Sequence, residues 1–285
     1  PYTTLFRSQR DSYPRMRDFT AGGTHDLGVG EWTDDTAMAI SLAESLLARD
    51  GLDERDLLER FLRWYRFGEN ACGGRAVGIS DKTRHTLEAF ERTRRLDVAR
   101  EVENAGNGCI MRLAPLAIFH RGNPESARRS AARQALVTHG SEEAVATTVL
   151  FAEMLVVALH TGEVAAISEA ARVATHPSLA AIVRGDYRTK PRAAICSAPR
   201  ACDTLEAALW CLWHADDFEG AVVEAVNLGG DTDTIGAVTG QLAGAVFGTA
   251  SIPRRWSAQL HSADRLVNLA RRLHARAPVG AMSNL

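Results

Sequence analysis

Apolar residues recur along most of the chain at intervals of three and four, the spacing that lines one face of an α-helix. In the segment 33–49, Met38, Leu42, Ala43, Leu46 and Leu47 share one broad face, and Gly51 follows as a stop signal, which predicts an amphipathic helix of about four turns. Asp53 is placed to cap a second helix bearing Leu57, Leu58, Phe61, Leu62 and Tyr65, and Ser80 a third running through Leu87 and Phe90. Asn123 followed by Pro124 is an N-cap with proline at the first helical position. Ser141, with Glu142 and Glu143 after it, opens a long, largely buried helix over 142–160. The segments 205–212, 218–226, 235–247 and 266–273 add four more, whereas 184–200 reads as loop. Strict alternation bounded by turn residues is absent, so the fold class is all-α.

Composition narrows the picture without naming a chemistry. The 285 residues, 46% of them hydrophobic, suffice for one large core, and no linker argues for two domains. Basic and acidic residues nearly balance at a net charge of −2, leaving no electrostatic footprint for nucleic acid or an anionic membrane. No run of about 20 apolar residues and no signal peptide is evident, so no membrane partner is expected. Five cysteines without a CxxC pair point to reduced thiols and a cytoplasmic setting. The opening residues 1–8, PYTTLFRS, read as the translation of a common sequencing adapter, so native sequence is expected from Gln9 onward.

Two acidic motifs stand at the starts of helices. Trp32-Thr33-Asp34-Asp35-Thr36 opens the first, where acids also complement the helix dipole and need no further role. In Gly229-Gly230-Asp231-Thr232-Asp233-Thr234 the glycines permit a sharp turn, letting Asp231, Asp233 and Thr234 converge as oxygen donors for a hard cation such as Mg²⁺ or Ca²⁺. A helix-loop-helix calcium site is excluded, because Ile235 and Leu242 fall on ligand positions. An aspartate-nucleophile phosphatase loop, with Asp231 attacking, would require a buried strand before it, where the spacing is helical. Gly236, Gly240, Gly244 and Gly248 recur every four residues, predicting a central helix whose glycine face meets another backbone closely. Gly106-Asn107-Gly108-Cys109-Ile110-Met111-Arg112 is a glycine-framed loop able to offer backbone N–H groups to an anion. His139, in Thr138-His139-Gly140, is a ligand contact or a structural histidine.

In order and spacing, GEWTDDTAMAI, GNGCIMRLAPLA, Thr138-His139 and NLGGDTDTIGAVTGQLAGAVFG resemble the ADP-ribosylglycohydrolase family, which includes the dinitrogenase-reductase-activating glycohydrolases. The resemblance implies a compact, orthogonal multi-helix bundle around a centre of two Mg²⁺ ions. It also implies removal of ADP-ribose from an ADP-ribosylated protein or a small ADP-ribosyl substrate. By the same resemblance, Thr33, Asp34, Asp35, Asp231, Asp233 and Thr234 are the expected metal ligands, and Asp34 and Asp35 the water-orienting catalytic carboxylates. Asn107, Gly108, Cys109, Met111 and His139 are the expected substrate contacts. Residues 9–285 are then expected to form a single domain lacking the family's first, glycine-containing helix and the acidic loop after it; Glu31 is not that acid. A crystallin-like relative that keeps the fold without turnover is the alternative.

Overall fold

The computed structural model describes residues 10, 14–101 and 103–276. The adapter-like stretch 1–8 and the expected start at Gln9 lie outside the described residues. Thirteen α-helices, and no strand, are found among the residues described.

The first three helices end and begin where local chemistry dictates. α1 (Asp34–Arg49) stops at Asp50 in the left-handed conformation. α2 (Glu54–Phe67) is capped by Asp53, which accepts from the Asp56 N–H, and ends at Gly68. α3 (Asp81–Thr93) is capped by Ser80 accepting from the Thr83 N–H. The Asp53 and Ser80 caps each satisfy a backbone donor the helix cannot.

α4 (Ala114–Phe119) is a short helix entered through Pro115, and α5 (Pro124–Leu136) is capped by Asn123 accepting from the Ser126 N–H. α6 (Glu142–Thr161) follows. Ser141 starts it without a side-chain cap bond, contrary to the pattern-based expectation. α7 (Val164–Ala170) and α8 (Ala180–Arg184) lead into a stretch of single 3₁₀ turns that agrees with the loop expected over 184–200. α9 (Ala201–Trp213), α10 (Phe218–Val226), α11 (Thr232–Phe247), α12 (Arg254–Gln259) and α13 (Ala263–Arg276) complete the chain.

α6 is the axis of the bundle. Its length and composition alone would let it cross a membrane, which corrects the sequence-based view that no such segment exists. Most of it is instead enclosed by α4, α5, α7, α9 and α11, so its apolar surface is core. Burying each large aliphatic or aromatic side chain contributes roughly 1.5–3 kcal/mol, and Leu150, Phe151, Met154 and Leu155 are all enclosed.

The glycine face of α11 departs from expectation. A Cβ placed on Gly240 meets nothing within 4 Å, and on Gly244 only the Phe218 ring at 3.9 Å. What holds α11 is its other side, where Ile235, Val238, Leu242 and Ala243 are buried. Only Gly236 is tightly packed, where a Cβ would lie 3.1 Å from the Val226 side chain; the rest of the four-residue repeat is an open stripe, and none of it meets another backbone closely.

Candidate active site

α1 and α11 pack on one another, and their N-terminal turns carry the two acidic motifs. Sequence elements about 200 residues apart thus share one location, each at the positive end of a helix dipole. Thr33, Asp35, Asp231, Asp233 and Thr234 are all buried, while Asp34 keeps a partly exposed edge.

Each motif is held by a contact its local pattern does not announce. Gly30 sits so close to Gln259 that a Cβ would fall 1.9 Å from the Gln259 carbonyl oxygen. Trp32 Nε1 donates to the Asn70 carbonyl, and the Trp32 ring meets His261 edge-on at 5.3 Å. On the other side the Asp231 N–H donates to the Ser197 carbonyl at 3.0 Å. Gly230, at φ +72°, leaves room for that carbonyl, which a Cβ would approach to 2.4 Å. Gly78, in the loop after α2, has φ +85° and would place a Cβ 2.1 Å from Asp34 Oδ1. Only glycine fits there, and sequence reasoning missed it, because nothing local marks Gly78 as a neighbour of Asp34.

The cluster is electrostatically unbalanced. Burial, then the nearby Asp35, Asp233 and Asp231, raises Asp34 well above the usual carboxylate range. Burial, then Asp35 and Asp231, does the same to Asp233. Asp35 is raised chiefly by burial, against which the Thr33 hydroxyl works by donating to Oδ2 at 2.8 Å. The other oxygen, Asp35 Oδ1, is buried with no hydrogen-bond partner among the described residues.

A hard cation fits this arrangement. The donors are carboxylate and hydroxyl oxygens, the set Mg²⁺ prefers, and Asp35 Oδ1 is left without a hydrogen-bond donor among the described residues. Among the described residues no three His, Cys, Asp or Glu side chains form a ready-made chelate. The threonine hydroxyls and water would therefore have to complete the shell, as is usual for Mg²⁺.

The glycine-framed loop borders the acids directly. Asn107 Nδ2 donates to Asp231 Oδ2 at 2.6 Å and to Thr204 Oγ1 at 2.9 Å. The turn is clamped from behind: Gln134 Nε2 donates to the Cys109 carbonyl, and Gln241 Nε2 to those of Ile110 and Met111. Cys109 is fully buried, its thiol set between the Gly106 and Ala144 carbonyls, and burial raises the thiol. Met111 is nearly buried against the same turn. His139 is 1% exposed, and a Cβ on Gly108 would lie 3.0 Å from its Cε1. Sequence reasoning also missed Arg112, fully buried without a carboxylate partner among the described residues; burial lowers its pKa to about 10, so it remains a cation at neutral pH.

The ADP-ribosylglycohydrolase family model matches residues 2–281 of this sequence. The chain belongs to the ADP-ribosylglycohydrolase family. It is 37% identical over 277 residues to the ADP-ribosylarginine hydrolase Tri1 of Pseudomonas putida (strain GB-1), covering 97% of this chain and 74% of that protein. It is 30% identical over 248 residues to the ADP-ribosyl-[dinitrogen reductase] glycohydrolase of Rhodospirillum rubrum, covering 87% and 80%. A solved ADP-ribosylglycohydrolase-related protein complex contains a chain that superposes with a TM-score of 0.86 at 38% identity, over 97% of this chain and 93% of that one. This ADP-ribosylglycohydrolase is therefore an enzyme, a hydrolase with an all-α fold, and the non-catalytic alternative falls away. So does the phosphatase alternative, because helix α10, and no strand, precedes Asp231.

Proposed function

We propose that this ADP-ribosylglycohydrolase releases ADP-ribose from ADP-ribosylated arginine in a Mg²⁺-dependent hydrolysis. The observation that carries the metal dependence is the buried acid cluster with its unpartnered Asp35 oxygen, beside a glycine-framed loop whose Asn107 is bonded to Asp231. Similarity to proteins named ADP-ribosylarginine hydrolase supports the choice of arginine. The five unpaired cysteines support a reducing, cytoplasmic setting.

Thr33, Asp34, Asp35, Asp231, Asp233 and Thr234 are the residues that would hold two Mg²⁺ ions. Bound there, Mg²⁺ supplies positive charge that fixes ribose hydroxyls and makes a water more acidic. The chain supplies the rest. Asp34 and Asp35 orient the attacking water toward the anomeric carbon. The Thr33 hydroxyl occupies Asp35 Oδ2 and leaves Oδ1 without a bond among the described residues. Asn107 keeps Asp231 from rotating, so the ribose is met by a preset group. The backbone around Gly108 receives the pyrophosphate, and His139 borders it.

The test is release of free ADP-ribose from ADP-ribosylated agmatine with MgCl₂ and with EDTA. Loss of turnover in EDTA and recovery on adding Mg²⁺ is expected. Equal rates in EDTA would overturn the metal reading, and turnover of serine-linked but not arginine-linked substrate would overturn the linkage.

A further inference from the structure

His139 is the residue whose chemistry the proposed function leaves undefined. It is buried, and its two ring nitrogens have different surroundings. Nδ1 lies 2.7 Å from Thr138 Oγ1. Nε2 has no hydrogen-bond partner among the described residues and lies close against Gly106 and Gly108, where Cβ atoms would fall 3.4 and 3.3 Å from it.

Which nitrogen carries the proton follows from Arg112. A guanidinium only donates, and Arg112 donates through one terminal nitrogen to Thr138 Oγ1 at 2.8 Å. Its Nε donates to Gln134 Oε1, and its face lies 4.6 Å from the Phe61 ring centre. The Thr138 oxygen therefore accepts from Arg112 and keeps its single hydrogen to give away. Thr138 is fully buried, and Nδ1 is the only acceptor within reach of its hydroxyl among the described residues. Leaving that O–H unmade in a buried site would be costly.

We propose that Arg112 and Thr138 form a relay that locks His139 as its Nε2–H tautomer, presenting a neutral hydrogen-bond donor to an acceptor oxygen of the ADP-ribosyl group beside Gly106 and Gly108. The ligand in this statement rests on the proposed function; the tautomer does not. Arg112 and Thr138 are positioning residues, each acting through His139. The arrangement explains an otherwise wasteful feature, a buried guanidinium without a carboxylate. A carboxylate in its place would accept from Thr138 and leave Nδ1 without a donor, freeing the ring to change tautomer.

The relay is tested on the intact protein by long-range ¹H–¹⁵N NMR of the nine histidine rings, with His139 assigned from its loss in His139→Gln. A pyrrole-type Nε2 and pyridine-type Nδ1 are expected in the wild type and in Thr138→Ser. Thr138→Val should lose that preference. Calorimetry with ADP-ribose is expected to show binding weakened about tenfold in Thr138→Val and restored within about twofold in Thr138→Ser. A protonated Nδ1 in the wild type overturns the relay, as does Thr138→Val binding with wild-type affinity. Should Thr138→Val fail to fold, the wild-type and Thr138→Ser spectra decide the tautomer. No ADP-ribose binding by a wild type with the expected spectrum would instead overturn the proposed function and the ligand half of this inference, leaving the tautomer lock standing.

Discussion

Asn107 Nδ2 stands 2.6 Å from Asp231 Oδ2, so the glycine-framed loop and the second acidic motif, though far apart in sequence, are tied by a direct hydrogen bond. The same amide reaches Thr204 on α9, which ties the pair to a third helix. Orientation of Asp231 is thereby set by a neutral donor that leaves the negative charge in place. A lysine would also have oriented it, but by consuming the charge that a cation needs.

That relationship yields the first prediction. Asn107→Ala should lower kcat/KM for ADP-ribose release by about ten- to a hundredfold, the range expected for losing one hydrogen bond to a charged group. Asn107→Asp should be worse, because a second carboxylate would face Asp231 without donating. The check is steady-state turnover at saturating Mg²⁺, and an Asn107→Asp rate above that of Asn107→Ala would contradict the orienting role.

The two kinds of glycine give the second prediction. Gly78→Ala places a methyl 2.1 Å from Asp34 Oδ1 at φ +85°, so both the backbone and the carboxylate must shift. A loss of roughly 1–3 kcal/mol and of most activity is expected. Gly240→Ala, in open space within α11, should instead be neutral or stabilise by up to about 1 kcal/mol. Melting curves of the two variants should move in opposite directions, and a destabilised Gly240→Ala would show that its face is covered.

These cases mark how far the sequence could be read. Asp53, Ser80 and Asn123 were legible as caps because capping is settled within three residues, and each makes the bond expected of it. The pairing of the two acidic motifs was legible only through family resemblance, since no local rule brings residues 35 and 231 together. Gly78, Arg112 and Gln241 were illegible for the same reason. Their roles consist of partners contributed by distant elements, the Asp34 carboxylate, Thr138 and the Ile110 carbonyl. The glycine repeat of α11 misled because period alone does not say whether a face is covered or open.

The third prediction concerns acid. Burial, reinforced by the positive charges of Arg112 and Lys82, pushes the His139 imidazole well below its ordinary 6.5. The unfolded chain then binds a proton below that value while the folded chain does not. Stability from this group is therefore complete above about pH 6.5 and declines as pH falls below it, by at most ~1.4 kcal/mol per pH unit. His120, lowered mainly by burial, adds a slope of the same sign. Urea titrations between pH 7.5 and 5 should show the wild-type midpoint falling more steeply than that of His139→Gln. Parallel slopes would mean that His139 is protonated in the folded protein.

The last prediction turns on the imbalance of the acid cluster. Without a cation, Asp35 is buried among carboxylates with one oxygen unpartnered, and Asp34 and Asp233 are disfavoured as anions by burial and by their acidic neighbours. Such a site opposes folding, and under the proposed function it is the cation that compensates for it. Asp35→Asn should therefore raise the melting temperature of the metal-free protein at neutral pH, by ~2–4 °C for each kcal/mol relieved. Added MgCl₂ should stabilise the wild type by a margin that grows with concentration, as any ligand selective for the folded state does, and should stabilise Asp35→Asn far less. Turnover should fall at least about a hundredfold in the variant, because the water is no longer held by a charged oxygen. The opposite signs of the two effects separate a functional acid from a structural one, since a residue kept for stability would lose melting temperature and activity together. A metal-free Asp35→Asn that melts below the wild type would place Asp35 among the residues that hold the fold, and the cation would then have to be sought elsewhere.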